Sequence, residues 1–346
     1  MAFSFNITDT ELQKSGVKYL KELLVMPVVA AQATLQHMTA RPGVAGREVL
    51  GELSGKVELG PYDVNRRDDS DLDVTPRTLE TFLGSVVKRF DPNSLAKTVY
   101  GALTTQGDGL ASLDIARQVL NFLAMQIGAS LNQVLFSAKR NDSGTKTADL
   151  FNGFDTITAA EIQAGTIATG KGNYVELGEA IDANNAVDVL MGIYEAADDT
   201  LRSVPTKLFI PHNVYNAYNR DYLATFGGVA YNKEYKKTYL EGSDNLCELV
   251  PVVGKKGSPY IHLTTKSNMV YGYGDGMADE KVAIEKHHEF LLSFIATMFF
   301  GCQFESVSKE RLYVAKLNSQ DRSAIIPSTP SSSERSGEGE GGDEMR

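Results

Sequence analysis

Few residues of this chain stand in the spacings that chemistry needs. Residues 165–171 read GTIATGK, the G-x-x-x-x-G-K pattern whose backbone amides cradle phosphates while the lysine meets their charge. The Ser or Thr that should follow to hold magnesium is replaced by Gly172, and no apolar strand leads in. Gly165 to Lys171 is therefore expected to be a surface loop and not a nucleotide site. His287 and His288 are adjacent, so on a strand they face opposite ways and cannot share a metal; His37, His212 and His262 are isolated. Asp69, Asp71 and Asp73 imitate the start of a calcium loop but lack its glycine and terminal glutamate. Cys247 and Cys302 have no neighbouring basic cluster to generate a thiolate, and two cysteines make no disulfide framework. There is no G-x-S-x-G elbow. Asn6-Ile-Thr and Asn141-Asp-Ser are glycosylation sequons by letter alone, since MAFSFNITDTELQ carries no expected secretory signal. The expectation is a non-enzyme with no catalytic, cofactor-binding or metal-binding residues.

The elements that would position a site read instead as parts for touching neighbours. Leu113, Ala116, Leu120, Leu123, Ile127, Leu131, Val134 and Ala138 recur in steps of three and four, the period of one helical face. No charge falls between Arg117 and Lys139, so this helix, roughly 40 Å long at 1.5 Å per residue, needs cover around much of its circumference. Upstream, Thr8 and Glu11 form a capping box before ELQKSGVKYLKELLV, a helix that Pro27 is expected to stop or kink. REVLGEL and KVELGPYDV are strand-like, and Ser54-Gly55 between them is a hairpin signal. NRRDDSDLD is too charged for a core, and VTPRTLETFLGSVVKRF returns to strand character. Downstream, a helix is expected over 186–201 with Asn184 or Asn185 as its cap, then strands KLFI, ELVPVV, YIHL and NMVYGYG. VAIEKH, EFLLSFIATMFFGCQF and ERLYVAKL read as long strands, and the Ser-, Gly-, Pro- and Glu-rich tail after Leu317 as disordered.

Composition narrows the class. The 346 residues are 42% apolar, enough for a sizeable core, and the net charge of -10 with no basic stripe argues against a nucleic-acid-gripping protein. The apolar run 290–300 is too short to span a bilayer. A soluble intracellular product is expected.

This order of elements, with DLFNGF after the long helix and FGCQFESVSKERLYV near the end, resembles the major capsid proteins of tailed bacteriophages. The resemblance implies an α+β fold of the Hong Kong 97 capsid type. Its parts would be an N-terminal arm (1–43), an extended β-hairpin loop (44–90), a peripheral domain with the spine helix (91–140), an inserted axial α/β domain (141–275), returning peripheral strands (276–317) and the tail (318–346). It implies a shell subunit that assembles with itself through pentamers and hexamers into an icosahedral head, located in the virion and built in the host cytoplasm. The implied partners are a separate scaffolding protein (or assembly without one), a portal and, in members that trim their ends, a maturation protease, with packaged double-stranded DNA touched non-specifically and no membrane. The family's founding member crosslinks lysine to asparagine; Lys56 and Lys88 lie in the loop region, but no flanking pattern marks a partner, so the crosslink is not carried over. An encapsulin-type compartment shell is the alternative with the same fold, and an α/β enzyme using the 165–172 loop is a weaker one.

Overall fold

The computed structural model describes residue 27 and residues 31–54, 61–62, 73–90, 112–225, 238–288 and 291–318. The capping box at Thr8, the first helix, Lys56, the NRRDDSDLD run up to Leu72 and the tail after Asn318 lie outside them. In chain order the described part begins with a short helix α1 (Gln32–Leu35) and strand β1 (Thr39–Pro42). Strands β2 (Arg47–Ser54), β3 (Asp73–Glu80) and β4 (Phe82–Phe90) follow, then the long helix α2 (Ser112–Val134). The middle contains α3 (Phe154–Gln163), β5 (Tyr174–Glu176), α4 (Ala186–Glu195), α5 (Asp199–Arg202), β6 (Thr206–Pro211) and α6 (His212–Thr225). It closes with β7 (Cys247–Val252), β8 (Tyr260–Thr264), β9 (Met269–Tyr273), β10 (Lys281–His288), β11 (Leu291–Phe304) and β12 (Leu312–Lys316).

Three sheets organise these strands. A five-stranded sheet runs β1-β9-β11-β10, with β4 also paired to β11; a second runs β5-β12-β8-β6-β7; β2 and β3 form a two-stranded hairpin. The hairpin corrects one sequence expectation. Ser54-Gly55 does not turn β2 back onto the next run: β2 pairs antiparallel with β3, from Arg47 opposite Glu80 to Ser54 opposite Asp73. Two strands also exchange places relative to the sequence division. NMVYGYG, expected in the inserted module, is β9 and pairs with β11 in the first sheet. ERLYVAKL, expected to complete that sheet, is β12 and lies between β5 and β8 in the second. Apolar strands of similar composition fit either sheet, so only long-range pairing separates them.

The long helix forms where its periodicity places it. Its inward face is Ala124, Gly128, Leu131 and, in the turn beyond, Leu135; Leu123 and Ile127 are half-buried at the margin. The expected cover is one-sided among the described residues, for Phe122 and Met125 are 56% and 54% exposed. The helix expected over 186–201 is two helices, because Asp198 caps a new start by accepting from Thr200 N–H. Asn185 stands at the first cap, but its amide oxygen serves Asp182 N–H, and the Val187 N–H is taken by the Asp221 carboxylate of α6 at 2.7 Å. One core joins the end of α2, α3 and strands of both five-stranded sheets; a second sits between α4, α6 and the β5-β12-β8-β6-β7 sheet.

Candidate functional site

The two motifs singled out in the sequence meet in space. DLFNGF and FGCQF meet through Phe151 edge-on to Phe300 and Phe154 tilted against Phe304, ring centroids 5.0 Å apart in each pair. Cys302 donates its S–H to Asn152 carbonyl oxygen at 3.2 Å. All four rings are buried, each worth about 1.5–3 kcal/mol for leaving water. This aromatic knot fixes the start of α3 on β11.

The hairpin leaves the body beside that knot and is held at its root. Arg77 on β3 donates to the Glu161 carboxylate of α3 at 2.5 Å and to Phe304 carbonyl oxygen at 3.1 Å. The corner between β3 and β4 is Thr81, whose hydroxyl donates to Val44 carbonyl oxygen and accepts from Gly46 N–H at 2.9 Å. Leu50 and Leu79 bury with Val44 and Val270 as a small core under the root. On its opposite face the hairpin meets water even at the root: Val49 is 68% exposed, and Arg47 and Glu80 pair in solvent. Such an exposed ion pair contributes about 0–1 kcal/mol.

A groove of about 560 Å³ separates α2 from the β4-β11-β10 side of the first sheet. Ile127, Leu131, Val86, Phe294 and Met298 line it, Pro27 reaches it, and Arg140 and Lys146 stand at its polar edge.

At the junction of the two halves lies a cluster that the sequence did not reveal. Lys255, in the turn after β7, is fully buried; its ammonium donates to Tyr260 carbonyl oxygen at 2.7 Å, His262 Nδ1 at 2.8 Å and Asp155 Oδ1 at 3.1 Å. It also sits 4.4 Å from the centre of the Phe136 ring. Burial lowers the lysine's pKa, and Asp155 opposes that shift. His262 is fully buried too, and burial followed by the Lys255 charge holds it well below its ordinary value. Asp155 stands in the first turn of α3, where the helix N-terminus favours a carboxylate. Gly254 lets this turn touch the long helix: a Cβ there would stand 2.6 Å from Asn132 carbonyl oxygen.

The other candidate residues are scattered. Gly165 to Lys171 links a helix to a strand, the reverse of the strand-to-helix setting a phosphate loop requires. Asn173 pins it, accepting from Ala168 N–H and donating to Thr166 and Val307 carbonyl oxygens, and Lys171 is exposed. His37 is half-buried against Lys207 and Glu248, tying the segment before β1 to the second sheet. His212 is exposed. Cys247 and Cys302 are buried and free; burial pushes Cys247 up to about 12 and Cys302 up as well, so neither is a thiolate at neutral pH. Lys88 is exposed on β4. Among the described residues no three His, Cys, Asp or Glu side chains are grouped to hold a metal, and no helix is long and apolar enough to cross a membrane.

The long helix, the hairpin and the two sheets in this arrangement define a Hong Kong 97-type capsid fold. Among solved structures, the chain is similar to the satellite phage P4 procapsid including its size determination (Sid) protein, with TM-score 0.53 at 11% identity over 85% of this chain and 90% of that one. It is similar also to the capsid of an empty GTA particle, with TM-score 0.53 at 12% identity over 83% and 90%. A virus-like particle from Pyrococcus furiosus gives TM-score 0.43 at 9% identity over 86% and 98%. No family model matches the sequence, and no curated protein does.

Proposed function

We propose that the chain is the shell subunit of an icosahedral head of a tailed phage or prophage, assembling with itself in rings of five and six around double-stranded DNA. The observation that carries this reading is a capsid fold matched along most of the chain, with a hairpin seated on the core by one face and exposed on the other. Identical copies that touch head-to-tail close into rings when the rotation allows, and such permanent contacts bury upwards of roughly 2,000 Å². In this reading residues 1–43 are the arm and β2–β3 is the extended loop that lies over a neighbour. The first sheet with α2 is the peripheral domain, and the second sheet with α4 and α6 surrounds the ring centre. A scaffolding protein, a portal and a maturation protease complete the system. The acidic chain gives packaged DNA little to bind, since that affinity depends on neutralising phosphates.

Negative-stain microscopy of the purified chain, alone and with the scaffold encoded beside it, tests the reading. Shells or capsomers are expected; monomers under every condition would sink it. A compartment shell around a cargo enzyme shares the fold, and particles purified from the native host separate the two by content, DNA against protein.

A further inference from the structure

The buried cluster of Lys255, Asp155 and His262 does more than fill space. We propose that it is a proton-operated latch between the two halves of the subunit, closed while His262 is neutral and released when its Nδ1 takes one proton from solvent. The tautomer follows from the partners. Thr158 hydroxyl donates to Phe154 carbonyl oxygen at 2.8 Å, so its lone pair faces His262 Nε2 at 2.8 Å and that nitrogen carries the hydrogen. Nδ1 is then the bare acceptor for the Lys255 ammonium. A proton on Nδ1 removes that acceptor and sets two cations 2.8 Å apart inside the core.

The place such an imidazolium would turn to is already present. Asp155 Oδ2 is buried without a hydrogen-bond partner, and the other oxygen of this carboxylate is 3.9 Å from His262 Nδ1. Moving Asp155 from lysine to histidine withdraws the tie between α3 and the turn after β7. The groups facing His262 are few: Lys255 from that turn, Asp155 and Thr158 from α3, Phe136 after α2, Phe304 from β11 and Tyr260 on its own strand. Cys302 on β11 stands near Asp155 and is a neutral thiol. The latch therefore answers to one histidine.

The sign is fixed by linkage. The folded-state pKa of His262 lies below the ordinary 6.5, so its contribution to stability is complete above about 6.5 and is lost as pH falls from there towards the folded value. Over that window the unfolded chain binds one more proton than the folded chain, and the unfolding constant rises by up to about tenfold per pH unit.

The test uses the full chain and His262→Asn, whose amide oxygen can accept from Lys255 but cannot protonate. Urea unfolding between pH 7.5 and 5 is expected to show one proton more in the wild-type slope than in the variant. His37, whose value is also lowered, is common to both. Hydrogen exchange, corrected for intrinsic rates, is expected to show protection lost first at 153–158 and 253–262 at pH 5.5 in the wild type alone. Equal slopes, or loss of protection elsewhere first, overturn the latch. If the variant does not fold, ¹⁵N-histidine spectra of the wild type decide: a neutral Nε2–H tautomer persisting well below pH 6.5 supports it, and titration at the ordinary value overturns it. These readouts concern the subunit, so they stand or fall independently of shell formation.

Discussion

The hairpin and the junction are both built on long-range charge pairs, and they use them in opposite ways. At the hairpin the pairs differ by face: Arg77 with Glu161, on the side that carries Leu50 and Leu79, is largely buried, while Arg47 with Glu80 and apolar Val49, on the opposite face, meet water. At the junction the charges of Lys255 and Asp155 are buried against each other, and Asp155 Oδ2 is left without a hydrogen-bond partner. A region free to meet another molecule can change without unfolding the subunit. A region that closes the core on charged groups cannot, because an ammonium or carboxylate left unpaired in the interior costs several kcal/mol.

Substitutions can break or sharpen this contrast. The largest effect is expected from Leu131→Asp on the inward face of the long helix, where Leu131 is 3% exposed: an unpaired buried carboxylate should leave no cooperative unfolding transition by circular dichroism. Lys255→Met should cost about 3–5 kcal/mol in urea denaturation by stranding Asp155, and Lys255→Met with Asp155→Leu should recover much of it. A small loss in the single variant would show that the junction is not a closed core. Glu161→Gln, at the hairpin root, should cost about 1.5–3 kcal/mol, the range for hydrogen bonds to charged groups. Deleting 62–72 should leave the melting temperature unchanged while shells disappear from micrographs; unfolding would put that stretch in the core. The smallest effect on stability, within about 0.5 kcal/mol, is expected for Val49→Thr, any change appearing in assembly instead.

The sequence made some of this legible and hid the rest for physical reasons. The long helix was visible because its apolar residues keep one period from Leu113 to Ala138, and β11 because no charge falls in its largely apolar run. DLFNGF and FGCQF were visible as patterns, though not as partners. The hairpin pairing was not, since the Ser54-Gly55 signal is local and the true partner of Ser54 is Asp73. Lys255 was the most hidden, in a GKKGSP stretch that reads as an exposed turn. Its carboxylate partner is 100 residues away, and no local rule connects them. His262 carried one faint sign, an imidazole inside the apolar strand YIHL.

One feature of the strand order bears on how the subunit is made in the cell. β11 pairs with β10, β4 and β9, and β12 lies between β5 and β8, so both large sheets are held together by strands that leave the ribosome after most of their partners. Until residue 304 has emerged the first sheet cannot close, nor the second until residue 316, and a nascent chain presents unpaired strand edges to its neighbours on the same message. Folding is then dominated by distant contacts, which is slow. Production of this protein at high level should depend on a chaperone that shields those edges, and lowering the growth temperature should raise the soluble yield.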